Sequence, residues 1–223
     1  MSQIKKNINS ITKKLNLHTP KAEGEIRLVA VSKGQDYSKI REAFDAGQYI
    51  FGENYLQEAI NKQEGLKDLK IEWHFIGPIQ SNKCKLIAES FSWVQSVDRI
   101  KVANKLNDSL KDQASLNICL QVNISNEDSK SGVNIDEIDS LAKHINDLDK
   151  LTLRGLMAIP TNTSDDEILK NEYKQLKVVY ENLRKKYTSV DTLSMGMSND
   201  YLLAIENGSN LVRIGTKIFG KRT

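Results

Sequence analysis

Short apolar runs alternate with longer amphipathic stretches along the whole chain. The runs read as strands at Arg27–Ser32, Tyr49–Phe51, Ile71–Ile76, Ser92–Val97, Asn117–Ile124, Leu151–Ile159, Thr192–Met195 and Asn210–Ile214. Several carry apolar residues at consecutive positions, as parallel strands covered on both faces do. The stretches between them read as helices with recognisable ends. Asp36 suits the N-cap of a helix over Tyr37–Ala46, with Gly47 as its left-handed stop. Asp98 suits the cap of Arg99–Leu110, and Ser164-Asp165-Asp166 opens a long helix through Lys186. Ser198 precedes a helix over Asn199–Asn207 that Gly208 ends. Between Met1 and Pro20, Ile4, Ile8, Ile11 and Leu15 recur at helical spacing, with lysines 5, 6, 13 and 14 forming a basic face.

Repeated β-then-α units imply parallel strands joined by right-handed crossovers. Eight of them predict a single (β/α)8 TIM barrel over residues 1–223, a fold that typically takes ~250 residues and can be built from ~200. Only Thr216–Thr223 follows the eighth strand, too little for a full outer helix. The extra amino-terminal helix, residues 1–20, is therefore expected to pack on the barrel and fill that gap. A doubly wound open sheet is the competing topology, but no G-x-G-x-x-G follows the first strand.

Composition narrows the functional classes. With 39% apolar and 27% charged residues the chain can bury a sizeable core, and three prolines rule out a proline-rich stalk. No run approaches the ~18 apolar residues of a membrane span. A net charge of +3 is too slight for a nucleic-acid partner. Cys84 and Cys119 cannot build a disulfide framework or a zinc site. The amino terminus lacks the continuous apolar core of a secretory signal, and its lysines without arginine do not match a mitochondrial presequence. The expectation is a cytoplasmic protein, and a monomer.

In barrels of this kind chemistry gathers at the carboxyl ends of the strands. Lys33 ends the first, after Leu28-Val-Ala-Val-Ser. Desolvation there would lower its pKa and supply a neutral amine for Schiff-base formation; from position alone, a lysine with a packed stem and a solvated ammonium is the more ordinary reading. Two later turns shift the balance. Phosphate sites recur after strands seven and eight, where this chain places Ser194-Met-Gly-Met-Ser198 and Val212-Arg-Ile-Gly-Thr216. Ser198, Gly215 and Thr216 offer donors to an anion; the plainer readings are Ser198 as a cap and Gly215 as a turn. A phosphate at one side and a lysine at the other describe pyridoxal 5'-phosphate. Arg213, between Val212 and Ile214, either forms an ordinary salt bridge or faces the pyridine nitrogen, to which a guanidinium can only donate. Asn54 suits a cofactor hydroxyl or the cap of the following helix. His74, inside the third strand, is a further cofactor-binding candidate; without a second His, Asp or Cys at ligand spacing it does not suggest a metal. The polar run Asn123–Gly132 reads as a plain solvated loop more readily than as a lid.

These residues carry a resemblance. The segments Val29-Ala-Val-Ser-Lys33, Phe51-Gly-Glu-Asn54, Trp73-His-Phe-Ile-Gly77 with Gln80-Ser-Asn-Lys83, Ser129-Lys-Ser-Gly132, Arg154-Gly-Leu-Met157, Ser194-Met-Gly-Met-Ser198 and Val212-Arg-Ile-Gly-Thr-Lys-Ile-Phe-Gly220 resemble the pyridoxal phosphate homeostasis protein family. The resemblance implies a barrel like the amino-terminal domain of alanine racemase and pyridoxal phosphate held as a Schiff base on Lys33. It also implies phosphate near Ser198, Gly215 and Thr216, and Arg213 facing the ring nitrogen. Asn199 departs from the acidic residue expected after Met-Gly-Met-Ser. Members are regarded as carriers or regulators of vitamin B6 pools without established turnover, so pyridoxal-phosphate-dependent apo-enzymes are the expected protein partners. An amino-acid racemase is the alternative. It needs a second acid/base group on the opposite face of the substrate, and an opposing tyrosine from a carboxyl-terminal domain is not expected in a chain that stops at Thr223.

Overall fold

A computed structural model describes residues 1–18, 25–112, 114–127 and 130–220. Residues 19 and 20 of the first segment, Ser129 of the Ser129–Gly132 motif and the last three residues of the tail lie outside that description. The element order is α1 (Gln3–His18), β1 (Arg27–Val31), α2 (Tyr37–Asp45), β2 (Ile50–Glu53), α3 (Leu56–Gly65), β3 (Glu72–Phe75), α4 (Cys84–Ser90), β4 (Trp93–Val97), α5 (Ile100–Ser109), β5 (Leu116–Val122), α6 (Ile138–Asn146), β6 (Leu151–Ala158), α7 (Asp166–Lys186), β7 (Thr192–Ser194), α8 (Tyr201–Glu206), β8 (Leu211–Ile214) and α9 (Thr216–Phe219). The eight strands close into a barrel in sequence order, β8 pairing back with β1, and every pairing is parallel. The fold is the predicted (β/α)8 barrel.

The strands are buried on both faces because helices cover the outside and side chains fill the inside. Outward residues such as Phe51, Phe75, Val94, Ile118 and Leu120 join the helices in the main core. Trp93, Cys119 and Met157 form a small separate cluster, and alternation points their side chains into the barrel. Register shifts between β4 and β5 and between β5 and β6 add residues at two places in the ring.

Helix α1 buries Ile4, Ile8, Ile11 and Leu15, the stripe read from the sequence, and packs against α2, α8 and α9. It fills the gap left by the four-residue α9. The predicted Asp36 cap holds, accepting from the Ser38 N–H at 2.8 Å, and α7 opens at the predicted polar cluster, where Asp165 accepts from Glu167 and Ile168. Gly47 takes φ +96° as the stop after α2.

Two predicted starts shift. Asp98 does not cap α5; its carboxylate pairs with the Arg99 guanidinium at 2.5 Å, and the helix opens one residue later than expected, at Ile100. Ser198 does not cap α8, which begins at Tyr201. The Met197 N–H donates to Asp200 Oδ1 at 2.7 Å, and this side-chain bond closes the turn in place of a first helical turn.

Candidate functional site

At the carboxyl ends of the strands lies a cavity of about 460 Å³. Its walls bring together Lys33, Asn54, Ser198, Arg213, Gly215 and Thr216 from the ends of β1, β2, β7 and β8. Six of the seven candidates read from the sequence thus share one space.

Lys33 leaves β1 two residues after its last paired position and is half-buried at the wall. Its backbone is clamped from both sides. The Ser32 hydroxyl donates to Glu53 Oε1 at 2.6 Å, Lys62 Nζ donates to the Ser32 carbonyl at 2.7 Å, and the Gly34 N–H donates to Glu58 Oε1 at 2.6 Å. Lys62 also bridges the two glutamates, at 2.8 Å to Glu53 and 2.5 Å to Glu58. Gly34 accepts φ +69° where the chain turns away, a conformation that carries no Cβ penalty only in glycine. Burial pushes the Glu53 carboxyl up, against the pull of Lys62 and of the Ser32 hydroxyl.

Arg213 forms part of the wall with its guanidinium almost wholly buried. Nη1 donates to the Ser194 carbonyl at 2.8 Å and to its hydroxyl at 2.6 Å, and Nη2 donates to the Ala158 carbonyl at 2.8 Å. Of five N–H donors, three are thus engaged among the described residues, and the side chain lines the cavity. Burial lowers its pKa to about 10, so the side chain stays charged at neutral pH. The nearby Asp200 carboxylate has both oxygens engaged, by the Met197 N–H and the Tyr173 hydroxyl.

Asn54 does not cap α3: Tyr55 stands at the N-cap position without a side-chain bond. Asn54 Oδ1 is buried and has no hydrogen-bond partner among the described residues, an acceptor awaiting a donor. His74 is absent from the wall. It precedes Ile76, the wall residue just past the end of β3, by two positions and so lies one layer deeper in the barrel. There it is fully buried, stacked on Trp93 at 5.0 Å, with Nε2 bonded to Glu72 at 2.7 Å and Nδ1 to Gln95 at 2.6 Å.

The loop after β5 folds back on the strand through a Val122–Val133 bridge. Lys130 then reaches the cavity wall, paired with Glu127 at 2.7 Å and donating to the Pro160 carbonyl. Among its described residues the Asn123–Gly132 segment thus touches both the end of β5 and the cavity wall. Neither Lys130, within the Ser129–Gly132 motif, nor Asp200 is marked as a wall residue by its sequence position, since a Lys or Asp in a polar loop carries no positional signal of its own.

Among the described residues, no group of three or more His, Cys, Asp or Glu is arranged to hold a metal ion, and no helix is long and apolar enough to cross a membrane.

A closed parallel barrel with a lysine at the end of β1 and donor-rich turns after β7 and β8 defines a class. The family model for the alanine racemase N-terminal domain matches residues 1–223, and the chain belongs to that barrel class. It is 48% identical over 230 residues to a pyridoxal phosphate homeostasis protein of Vibrio alginolyticus, covering 100% of this chain and 99% of that one. PipY of Synechococcus elongatus PCC7942, solved with PLP bound, matches with a TM-score of 0.86 and 32% identity over 97% of this chain and 100% of that one. Alanine racemase of Corynebacterium glutamicum matches with a TM-score of 0.73 at 15% identity, over 98% of this chain and 61% of that one, and shows the shared fold alone. Within the barrel class, the chain is a member of the pyridoxal phosphate homeostasis protein family.

Proposed function

We propose that this protein binds pyridoxal 5'-phosphate in the cavity at the carboxyl end of the barrel, attached through Lys33, and acts as a carrier in vitamin B6 homeostasis without turnover of its own. The observation that carries the reading is that one cavity joins a lysine, a buried arginine and two donor-rich turns. The residues suit that group in three ways. Asn54 Oδ1 needs a donor, which a phenolic hydroxyl supplies. The Arg213 guanidinium, which can only donate, suits an unprotonated ring nitrogen. Ser198, Gly215 and Thr216 lie together for a phosphate. A PLP-bound relative and a pyridoxal phosphate homeostasis relative support the assignment.

When bound, the group supplies an aldehyde that condenses with a primary amine and releases water. The protein's own residues then hold it. Lys33 is presented by a backbone pinned on both sides. Arg213 would donate to the ring nitrogen, and its fixed positive charge would keep a proton off that atom. That would weaken the ring as an electron sink and disfavour carbanion chemistry. A racemase needs a second acid/base group opposite the lysine. The tyrosines nearest Lys33 and Asn54 in sequence, Tyr37, Tyr49 and Tyr55, are exposed and absent from the cavity wall. The ammonium of Lys130 is held by Glu127, and each Asp200 oxygen already accepts a hydrogen bond.

Purified protein mixed with pyridoxal phosphate is expected to gain a visible absorption band that Lys33→Ala abolishes. Borohydride reduction and peptide mapping should then place the label on Lys33. Protein that remains colourless with the cofactor present would end the reading. Deuterium exchange at the α-carbon of added amino acids is expected to match a Lys33→Ala control; clear excess would establish the racemase alternative instead.

A further inference from the structure

A file of buried polar side chains runs from the cavity through the interior of the barrel to its opposite mouth. Arg213 Nη1 donates to Ser194 Oγ at 2.6 Å, and Ser194 Oγ donates to Gln95 Oε1 at 2.6 Å. Gln95 Nε2 meets His74 Nδ1 at 2.6 Å, and His74 Nε2 meets Glu72 Oε1 at 2.7 Å. Ser194, Gln95 and His74 are fully buried, whereas the Glu72 side chain is 40% exposed at the amino-terminal mouth. Five residues on β8, β7, β4 and β3 therefore connect the cavity wall to solvent on the other side.

The direction of the file follows from its chemistry. A guanidinium has no acceptor, so Arg213 must donate to the Ser194 oxygen. The serine has one hydrogen, which goes to the Gln95 carbonyl. The amide group of Gln95 then faces His74 Nδ1, which must be unprotonated, and the imidazole hydrogen sits on Nε2 facing the Glu72 carboxylate. Every donor points away from the cavity. Reversing the Gln95 amide would require a hydrogen on both ring nitrogens of His74 and would strand the serine hydrogen. Complete burial drives the imidazole toward its neutral form, and the Arg27 charge from β1 acts in the same sense, opposed by Glu72 on its own strand. Trp93, stacked on the imidazole, carries Arg27 and Arg154 at 4.9 and 4.6 Å from its ring, so further cations pack beside that end of the file.

We infer that Ser194, Gln95, His74 and Glu72 are positioning residues for Arg213, a one-way relay that fixes the guanidinium so that its remaining donors select an acceptor atom in the ring of the bound ligand. The inference rests on the ligand reading above and adds to it the device that enforces ring-nitrogen selectivity. The relay suits that task because its terminal carboxylate lies at the far mouth, where it cannot place a proton donor or a competing charge against the ring. Ser194 and Ala158 hold the guanidinium plane on two sides, and the neutral file beyond Ser194 keeps the serine oxygen available as an acceptor. Consecutive bonds of one sense also polarise one another.

Two measurements test the relay. In the ligand-free protein, nitrogen NMR of labelled histidine, with His74 assigned through His74→Gln, is expected to show a neutral imidazole protonated on Nε2 at pH 7. An Nδ1-protonated or doubly protonated ring would overturn the relay. In the second, the full chain is titrated with pyridoxal phosphate and with its 1-deaza analogue, which keeps the aldehyde and phosphate but replaces the ring nitrogen by C–H. Loss of a charge-assisted hydrogen bond should make the wild type favour the natural ring by on the order of tenfold or more. Ser194→Ala, a small change within a strand, and Gln95→Met, a near-isosteric one, are expected to bring that ratio to within about threefold. General damage to the fold weakens both probes alike and leaves the ratio unmoved. A wild-type ratio retained in both variants overturns the positioning role while leaving the ligand assignment intact. Failure of both probes to bind the wild type overturns the ligand assignment, and the tautomer of His74 still decides whether the relay exists.

Discussion

Lys62 is a charged side chain only 6% exposed, and the Glu53 carboxylate it meets is fully buried. Removing one partner of such a pair leaves an uncompensated charge in the interior. Lys62→Met is therefore expected to cost about 3–5 kcal/mol in urea unfolding, and adding Glu53→Gln to recover a clear part of that loss. If the two losses simply add, the residues are not coupled as the distances imply. The pH dependence has a definite sign. With its carboxyl pushed up by burial, Glu53 holds its proton to higher pH in the folded chain than in the unfolded one. Its contribution to stability is present at low pH and is lost as pH rises above the ordinary carboxyl range through the raised value. Glu53→Gln should flatten that part of the stability profile. None of this was legible in Phe51-Gly-Glu-Asn54, because Lys62 lies nine residues from Glu53 and one turn of α3 beyond Glu58. The chemistry of Lys33 and Arg213 was more accessible, since a charged residue at the end of an apolar strand has few places to go.

Strands and helices were read well where periodicity was strong and less well where a side chain competed for a helix end. The strand positions follow the apolar runs, with ends differing by a residue or two. Asp98 and Ser198 looked like caps, but Arg99 captured the first and Asp200 closed the turn around the second. A single sequence does not reveal which neighbour wins a short-range contest for a hydrogen bond. The junction after β3 shows a further element-scale constraint. A Cβ on Gly77 would lie 2.0 Å from the Asn54 carbonyl, so the β3 exit and the β2 exit touch backbone to backbone beside the cavity. The Ser96 hydroxyl holds the Gly77 carbonyl at 2.6 Å from the other side. Gly77→Ala must push Asn54 aside. It is expected to cost about 1–3 kcal/mol of stability and to weaken pyridoxal phosphate binding measurably in an absorbance titration. Unchanged stability and affinity would show that the two exits can separate freely.

At the scale of the molecule, α1 stands where an eighth full-length outer helix would otherwise be, its four apolar residues facing α2, α8 and α9. Ile8 is 4% exposed, and Ile8→Ala is expected to cost about 2–5 kcal/mol by chemical denaturation. A loss below about 0.5 kcal/mol would mean that α1 merely rests on the barrel. The amino-terminal stripe is legible in advance because helical periodicity is a local property. So is the count of β-then-α units, and with it the barrel, since parallel strands with short connections leave few topologies. The polar file from Arg213 to Glu72 is not, because its members are scattered over four strands and each is an ordinary polar residue within its own segment. Local pattern and chain length determined the elements, their order and the residues at the strand ends. Closure of the ring alone decided which side chains share the interior, because contacts across a barrel depend on register and shear, which no single segment contains.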